Sequence, residues 1–378
     1  MSSTATPGQG PGLQIRNNLA SDYADIYTPA ALDALGHMSQ YNNEQKRLMD
    51  ERTKRRLTRM RDHQPVGFLP ADGEIKGTGI RVQDARDGNF VGAVIPHDLQ
   101  RQWLQGTGPA AKPNSPVQAN LRNVAYALLS GADGWMFDGE DALGQITTMS
   151  LDNQRSLKLA IARDPQFLEV AEAVSQEMNA WARDFFGREI IADWRKQLDF
   201  TTKIFRARGL HLDDRHIRLD GQSFSASITD MTLYVVNNYK ALQDDGSSIV
   251  LYLPKIQTAE EAGFWNKLLS ALENYLGLDE GTIKVYVLVE QLEATFQLME
   301  IRAALGLHFV GFNTGRWDYI NSVSDANCWD PDFINPNIES IVMTYGYMRN
   351  YEDRVRRAVN TPDANGNFAL WQGGMEPN

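Results

Sequence analysis

The sequence predicts an α/β chain built as a (β/α)8 barrel behind an N-terminal helical and β extension. Two observations carry this. From about residue 101 to the end, short apolar runs alternate with amphipathic helical patterns, eight times over. The 378 residues also suit a barrel of ~250 residues plus an extension. A doubly wound sheet is the alternative, yet no GxGxxG follows a strand and no GxxxxGK phosphate loop is present.

Taken in order, residues 1–12 (MSSTATPGQGPG) are small and polar and read as a disordered tail. Residues 13–100 form an N-terminal helical and small β-rich segment. Its stretch 29–62 has helical texture and carries eight basic residues between Lys46 and Arg61, broken by Asp50 and Glu51. This is read as a solvated face laced with i,i+4 pairs; an anion-binding surface is the alternative. Between 65 and 100, the runs VGFL, GIRV and NFVGAVIP suggest short strands. The barrel occupies 101–378. Its predicted strands are Trp103–Gln105, Gly134–Asp138, Lys203–Arg206, Ile249–Pro254, Ile283–Glu290, Phe309–Asn313, Ile341–Thr344 and Phe368–Gln372. Helices fit between them. In 261–277, Trp265, Leu268, Leu269, Leu272 and Leu276 recur at helical spacing and Gly277 supplies the stop. The stretch 291–305 repeats the pattern with Leu292, Phe296, Met299 and Ala303 before Gly306.

Composition limits the function. The chain has 42% apolar residues, and its 37 basic against 48 acidic residues give a net charge of −11. That argues against a nucleic-acid partner. The lone Cys328 can form neither an internal disulfide nor a cysteine zinc site. The N-terminus lacks the charge and apolar core of a secretory signal, and no apolar window approaches ~18 residues, so no membrane span and a cytoplasmic location are expected.

In a barrel, chemistry gathers where strands end at their C-termini. Four such ends stand out. In MFDGEDA (136–142), Asp138, Glu140 and Asp141 crowd three carboxylates into four positions, which need a cation or donors nearby; a helix-capping loop is the plainer reading. In KIFRARGLHLDDRH (203–216), Arg206 and Arg208 end a strand and could neutralise a carboxylate substrate or a developing oxyanion, or form a structural salt bridge; His211 and His216 read as structural. In VYVLVEQ (285–291), Glu290 follows a fully apolar run, where a bare carboxylate needs pairing or ligation by a hard cation. In VGFNTGRWDY (310–319), Gly311 and Gly315 permit close backbone approach, and Asp318 falls near Glu290 because the two follow successive strands. Two such carboxylates suit Mg2+; pairing of Asp318 with Arg316 is the alternative.

FDGEDA, IFRARGLHL, LPKIQTAEEAGFWN, GTIKVYVLVEQLEATFQLMEI and GFNTGRWDYI, in this order, resemble malate synthase. So do GFLPADGEIKGTGIRV, IPHDLQRQWLQGTGP, NVAYALLSGADGWMF, MTYGYMRNYEDRV and WQGGM, so the resemblance runs from about residue 50 to 375. It implies a TIM barrel and a Mg2+-dependent Claisen condensation of acetyl-CoA with glyoxylate, followed by hydrolysis of malyl-CoA to malate. It implies Glu290 and Asp318 as Mg2+ ligands, Arg208 as the catalytic arginine, and Asp138 and Glu140 as an acidic pair lining the site. Gly311, Phe312, Asn313, Thr314, Gly315, Arg316 and Trp317 are implied to border the substrate.

The sequence also departs from the family. The family carries a C-terminal helical domain that supplies an aspartate base; the resemblance stops at about residue 375, so that domain and its base are expected to be absent, and Gln257 stands where the family usually has glutamate. Loss of a general base costs ~10²–10⁴-fold in rate. Three expectations follow: a malate-synthase-like transferase; a malyl-CoA-lyase-type enzyme acting on this or another acyl thioester and a small 2-oxoacid without thioester hydrolysis; and a non-catalytic homologue or subunit. A barrel edge left bare would need residues 13–60, a second copy or a separate chain to cover it.

Overall fold

The computed structural model describes residues 12–106, 113, 115–141 and 146–373. The tail expected over 1–12 lies outside them, except Gly12. The strands in chain order are β1 (Leu13–Ile15), β2 (Glu74–Ile75), β3 (Ile80–Arg81), β4 (Trp103–Gly106), β5 (Gly134–Asp138), β6 (Thr202–Arg206), β7 (Asp213–Leu219), β8 (Gln222–Ser225), β9 (Ile249–Leu253), β10 (Ile283–Val289), β11 (Phe309–Thr314) and β12 (Leu370–Gln372). Seven of them make one parallel sheet in the order β4-β5-β6-β9-β10-β11-β12, curled into a nearly closed barrel.

Period-two alternation divides the side chains of these strands. Met136, Ile204, Val250, Tyr252, Tyr286, Leu288 and Val310 form an inner cluster, and Trp103 of β4 and Leu370 of β12 both pack against it. Strands from both ends of the sheet therefore share one interior. The Trp103 ring lies 5.2 Å from that of Tyr286. Phe137, Phe205, Leu251, Leu253, Val285 and Val287 face outward and join the larger core under the helices. A cavity of about 820 Å³ is lined by Trp103 and Leu104 on one edge and Leu370, Trp371 and Gln372 on the other.

The crossovers are helical. The helix Ala259–Leu276 is set by its sequence: Thr258 Oγ1 accepts the Glu261 N–H at 3.3 Å, Glu260 and Glu261 favour the positive N-terminal end, and Gly277 closes it at φ +70°. Its buried stripe is Trp265, Leu268, Leu269 and Leu272. The stretch 291–305 does not form one helix. A 3-10 turn (Glu293–Phe296) precedes the helix Leu298–Leu305, because Gln297 turns out at φ −136°.

Ile341–Thr344 is not a strand. It follows a 3-10 turn (Ile338–Ser340), and the Ile341 carbonyl accepts from Arg316 Nη2 at 2.7 Å. Val342 is half exposed, so the run has no second buried face. Among the described residues the barrel sheet thus has seven strands. The 65–100 segment is also less β-rich than its runs suggest: only β2 and β3 form, two residues each, while VGFL and most of NFVGAVIP are irregular between prolines and glycines.

The extension packs onto the barrel. β1 pairs antiparallel with β7, joining Leu13 to Leu219 and Ile15 to Ile217. The stretch 29–62 splits into helices Pro29–Met38 and Asn42–Asp62. The first packs against the barrel helices Ala226–Asp244 and Ala259–Leu276. The second has a single i,i+4 pair, Arg47 with Glu51; Arg52, Arg55, Arg56 and Arg59 instead reach Glu261, Asp325 and Glu293 of the barrel. Most of its basic residues dock the helix onto the barrel, while Lys54 and Arg61 stay on a solvated face.

Candidate active site

The inward row of each strand carries its chemistry to the C-terminal mouth. On β5, Gly134, Met136 and Asp138 alternate inward; on β6, Ile204 and Arg206 do so; on β10, Tyr286 and Leu288 lead to Glu290. Asp138, Arg206 and Glu290 are all buried there.

Arg206 and Asp138 pair through two hydrogen bonds, Nε to Oδ1 at 2.7 Å and Nη2 to Oδ2. Asp138 Oδ1 also accepts the Glu140 N–H at 2.8 Å, which fixes the turn after β5. Gly139 is needed in that turn, since a Cβ would lie 2.5 Å from the Arg206 carbonyl oxygen. The remaining Arg206 nitrogen, Nη1, has no hydrogen-bond partner among the described residues. It faces Glu140 Oε2 at 3.8 Å. Both Glu140 oxygens are likewise unpartnered and fully buried. Burial raises the Glu140 carboxyl to about 8, against the pull of Arg206 and Lys255. His211 Nε2 stands 3.8 Å from Glu140 Oε1, and burial lowers this imidazole to about 4, so it is neutral.

Glu290 and Asp318 are brought together, as their places after successive strands imply. Asp318 lies in the first turn of the helix Arg316–Ala326, at its positive end. Asp141 joins them: one oxygen of each of the three carboxylates lies within 4.8 Å of the others. Burial pushes the Glu290 carboxyl up; for Asp318, burial is outweighed by Glu290 and Lys255, which hold it down. The cation among them is Lys255, just past β9. Its Nζ donates to Asp141 Oδ2 at 3.0 Å, Glu290 Oε2 at 2.9 Å and Asp318 Oδ2 at 2.7 Å. The donor set is hard oxygen on separate loops, one carboxylate fully buried, with the unpartnered Glu140 beside it. These residues fit a hard divalent cation such as Mg2+.

The other expected residues fall in different places. Arg208 lies beyond the end of β6 and turns away from the Arg206 row. Its guanidinium is taken by Asp230 (Nε 2.8 Å, Nη2 2.8 Å), Asp214 (2.8 Å) and Thr147 (3.1 Å) in a buried cluster. Gly311 is a packing glycine, because a Cβ would meet the Leu370 carbonyl oxygen at 2.7 Å and the Tyr286 ring at 3.0 Å. Phe312 points outward into the core. Asn313 faces inward and accepts from Tyr252 Oη at 2.9 Å. Thr314 ends β11, and a Cβ on Gly315 would lie 3.0 Å from that of Glu290. Arg316 holds the Ile341 carbonyl, and Trp317 is half exposed beneath its guanidinium. Gln257 bridges Arg55 and Gln291 at 3.0 Å each.

Sequence reasoning missed Lys255. Its signal was its position as the first basic residue after the apolar run IVLYLP, opposite three strand-end carboxylates. The family resemblance pointed to Arg208; Arg206 and Arg208 share one period-two alternation, and no local signal shows that β6 ends at Arg206 and that the chain turns Arg208 away.

An acid-lined mouth closed by an arginine–aspartate pair defines an α/β barrel protein with a candidate metal centre. Comparison with known proteins places it more narrowly. Residues 202–377 match the family model for the malate synthase TIM barrel domain. The chain is 30% identical to the malate synthase of Dictyostelium discoideum over 96% of this chain and 60% of that protein. It is 29% identical to that of Myxococcus xanthus, over 92% of this chain and 58% of that protein. A solved Haloferax volcanii malate synthase in a lead(II) complex is similar at 14% identity, covering 73% of this chain and 69% of that one, with a TM-score of 0.39. The chain belongs to the malate synthase family. It spans about three-fifths of the length of the curated relatives it matches.

Proposed function

We propose that the barrel mouth catalyses Mg2+-dependent carbon–carbon bond formation between an acyl thioester, acetyl-CoA, and a 2-oxoacid, glyoxylate. The observation that carries this reading is the convergence of Glu290, Asp318 and Asp141 beside Arg206, whose Nη1 has no partner among the described residues. Glu290 and Asp318 would hold the metal, with Asp141 at the rim. When bound, a divalent cation supplies Lewis-acid polarisation of the 2-oxoacid carbonyl.

The chain's own residues do the rest. Arg206, rather than Arg208, faces the substrate: Asp138 fixes the plane of its guanidinium, and the unspent Nη1 meets the carboxylate or developing oxyanion. Glu140, whose carboxyl burial raises to about 8, donates to a substrate oxygen or holds a proton near it. Asn313, fixed by Tyr252, lines the floor beside the Gly311–Gly315 backbone. Calorimetric titration with glyoxylate tests the first half of this reading. Binding is expected with Mg2+ present and is lost in EDTA and in Glu290→Gln. Binding that persists unchanged in EDTA would contradict it.

A further inference from the structure

Lys255 is the feature of the mouth that a metal site alone does not explain. It spends all three ammonium N–H groups, one on each of Asp141, Glu290 and Asp318. An ordinary ion pair needs one carboxylate; this one takes three, from the loop after β5, the end of β10 and the helix after β11. The backbone is arranged for it. Lys255 has φ +56°, a left-handed conformation that non-glycine residues seldom adopt. Its N–H donates to Glu290 Oε1 at 2.7 Å, and its carbonyl accepts from Arg52 Nη1 at 2.7 Å. Main chain and side chain therefore clasp the same carboxylate from both sides. The flexible four-carbon stem leaves the ammonium free to move while the backbone stays fixed.

We propose that Lys255 is a tethered counter-cation: its ammonium neutralises the carboxylate triad in the metal-free protein, and a divalent cation must displace it to bind, so that Lys255 sets the affinity of the site. This rests on the metal reading given above. Two unit positive charges cannot be added beside a third without loss unless the third leaves. The displaced ammonium swings to the rim, where Asp141 is exposed.

Two measurements test it, neither of them turnover. The first is calorimetric titration of Mn2+ into metal-free wild-type protein, Lys255→Met and Lys255→Arg. Removing the competitor should tighten Mn2+ binding by about tenfold or more in K255M, while K255R, which keeps the charge, stays near wild type. The metal-free K255M protein should melt lower than wild type, and Mn2+ should raise its melting temperature more. The second uses the unaltered protein: reductive methylation of Lys255, followed by peptide mass spectrometry, should be slow without metal and faster at saturating Mg2+. Equal or weaker Mn2+ binding by folded K255M, or labelling of Lys255 that metal leaves unchanged or slows, would overturn the displacement model and leave the metal site standing. Failure of both wild type and K255M to bind Mn2+ would overturn the metal reading itself, and this proposal with it.

Discussion

Arg206 and Asp138 carry opposite charges where neither is exposed, and each makes the other tolerable. Truncating one member of such a pair costs ~3–5 kcal/mol because the survivor stays buried and unpaired. Arg206→Lys is therefore the more informative change. It keeps the charge but loses the planar fork, and turnover is expected to fall about 10²–10³-fold while the melting temperature falls little. Retained turnover in a folded R206K protein would remove Arg206 from the chemistry. Lys203, one face away on the same strand, shows the contrary case. Its ammonium donates to the Leu198 carbonyl at 2.7 Å, and burial pushes it down to about 7 from its ordinary 10.5. Between those two values the unfolded chain holds a proton that the folded chain does not, so stability rises with pH across that window and the full cost is felt below about 7. Lys203→Met should raise the melting temperature more at about pH 6 than at about pH 9, and an equal gain at both would refute the assignment.

Elements whose signals are local were legible in the sequence. Seven predicted strands form, with bounds shifted by a residue or two at most, because each is a short apolar run closed by polar residues or glycine. The helix Ala259–Leu276 was readable from its 3.6-residue stripe and its two caps. The helix expected over 291–305 was not, since a contact distant in sequence breaks it: Gln297 Oε1 accepts the Ala259 N–H at 3.0 Å, and the chain bends to reach it. Ile341–Thr344 failed in the same way, its carbonyl taken by Arg316. The pairing of β12 depends on a residue that carries no side chain. In Gly311→Ala a Cβ would press on the Leu370 carbonyl oxygen at 2.7 Å, a backbone atom that cannot step aside alone. Amide exchange of Leu370–Gln372 should quicken in this variant, while that of β9 stays slow. Unchanged protection of β12 would show that the edge absorbs the methyl.

At the scale of the whole molecule, convergence decides what the sequence could and could not reveal. The positions of Asp138, Glu140, Glu290 and Asp318 were readable as strand-end carboxylates. That Lys255 sits among them depends on closure of the barrel, and that Arg206 rather than Arg208 turns inward depends on where β6 ends and on Asp214 and Asp230, which draw Arg208 away. The antiparallel pairing of β1 with β7, some two hundred residues apart, left no local signal. It nevertheless ties the extension to the barrel: Leu13 is buried against the main core, and Leu13→Ala is expected to lower stability by about 2 kcal/mol, read as a shift in the urea midpoint. No helix among the described residues is long and apolar enough to cross a membrane. Whether the barrel mouth forms a carbon–carbon bond is read from one incubation: purified protein with acetyl-CoA, glyoxylate and Mg2+, all products read by mass spectrometry, beside an EDTA control. A condensed four-carbon product, malyl-CoA or malate with free CoA, is expected and should disappear in EDTA; the same product undiminished in EDTA, or none at all from folded, metal-loaded protein, would refute metal-dependent condensation.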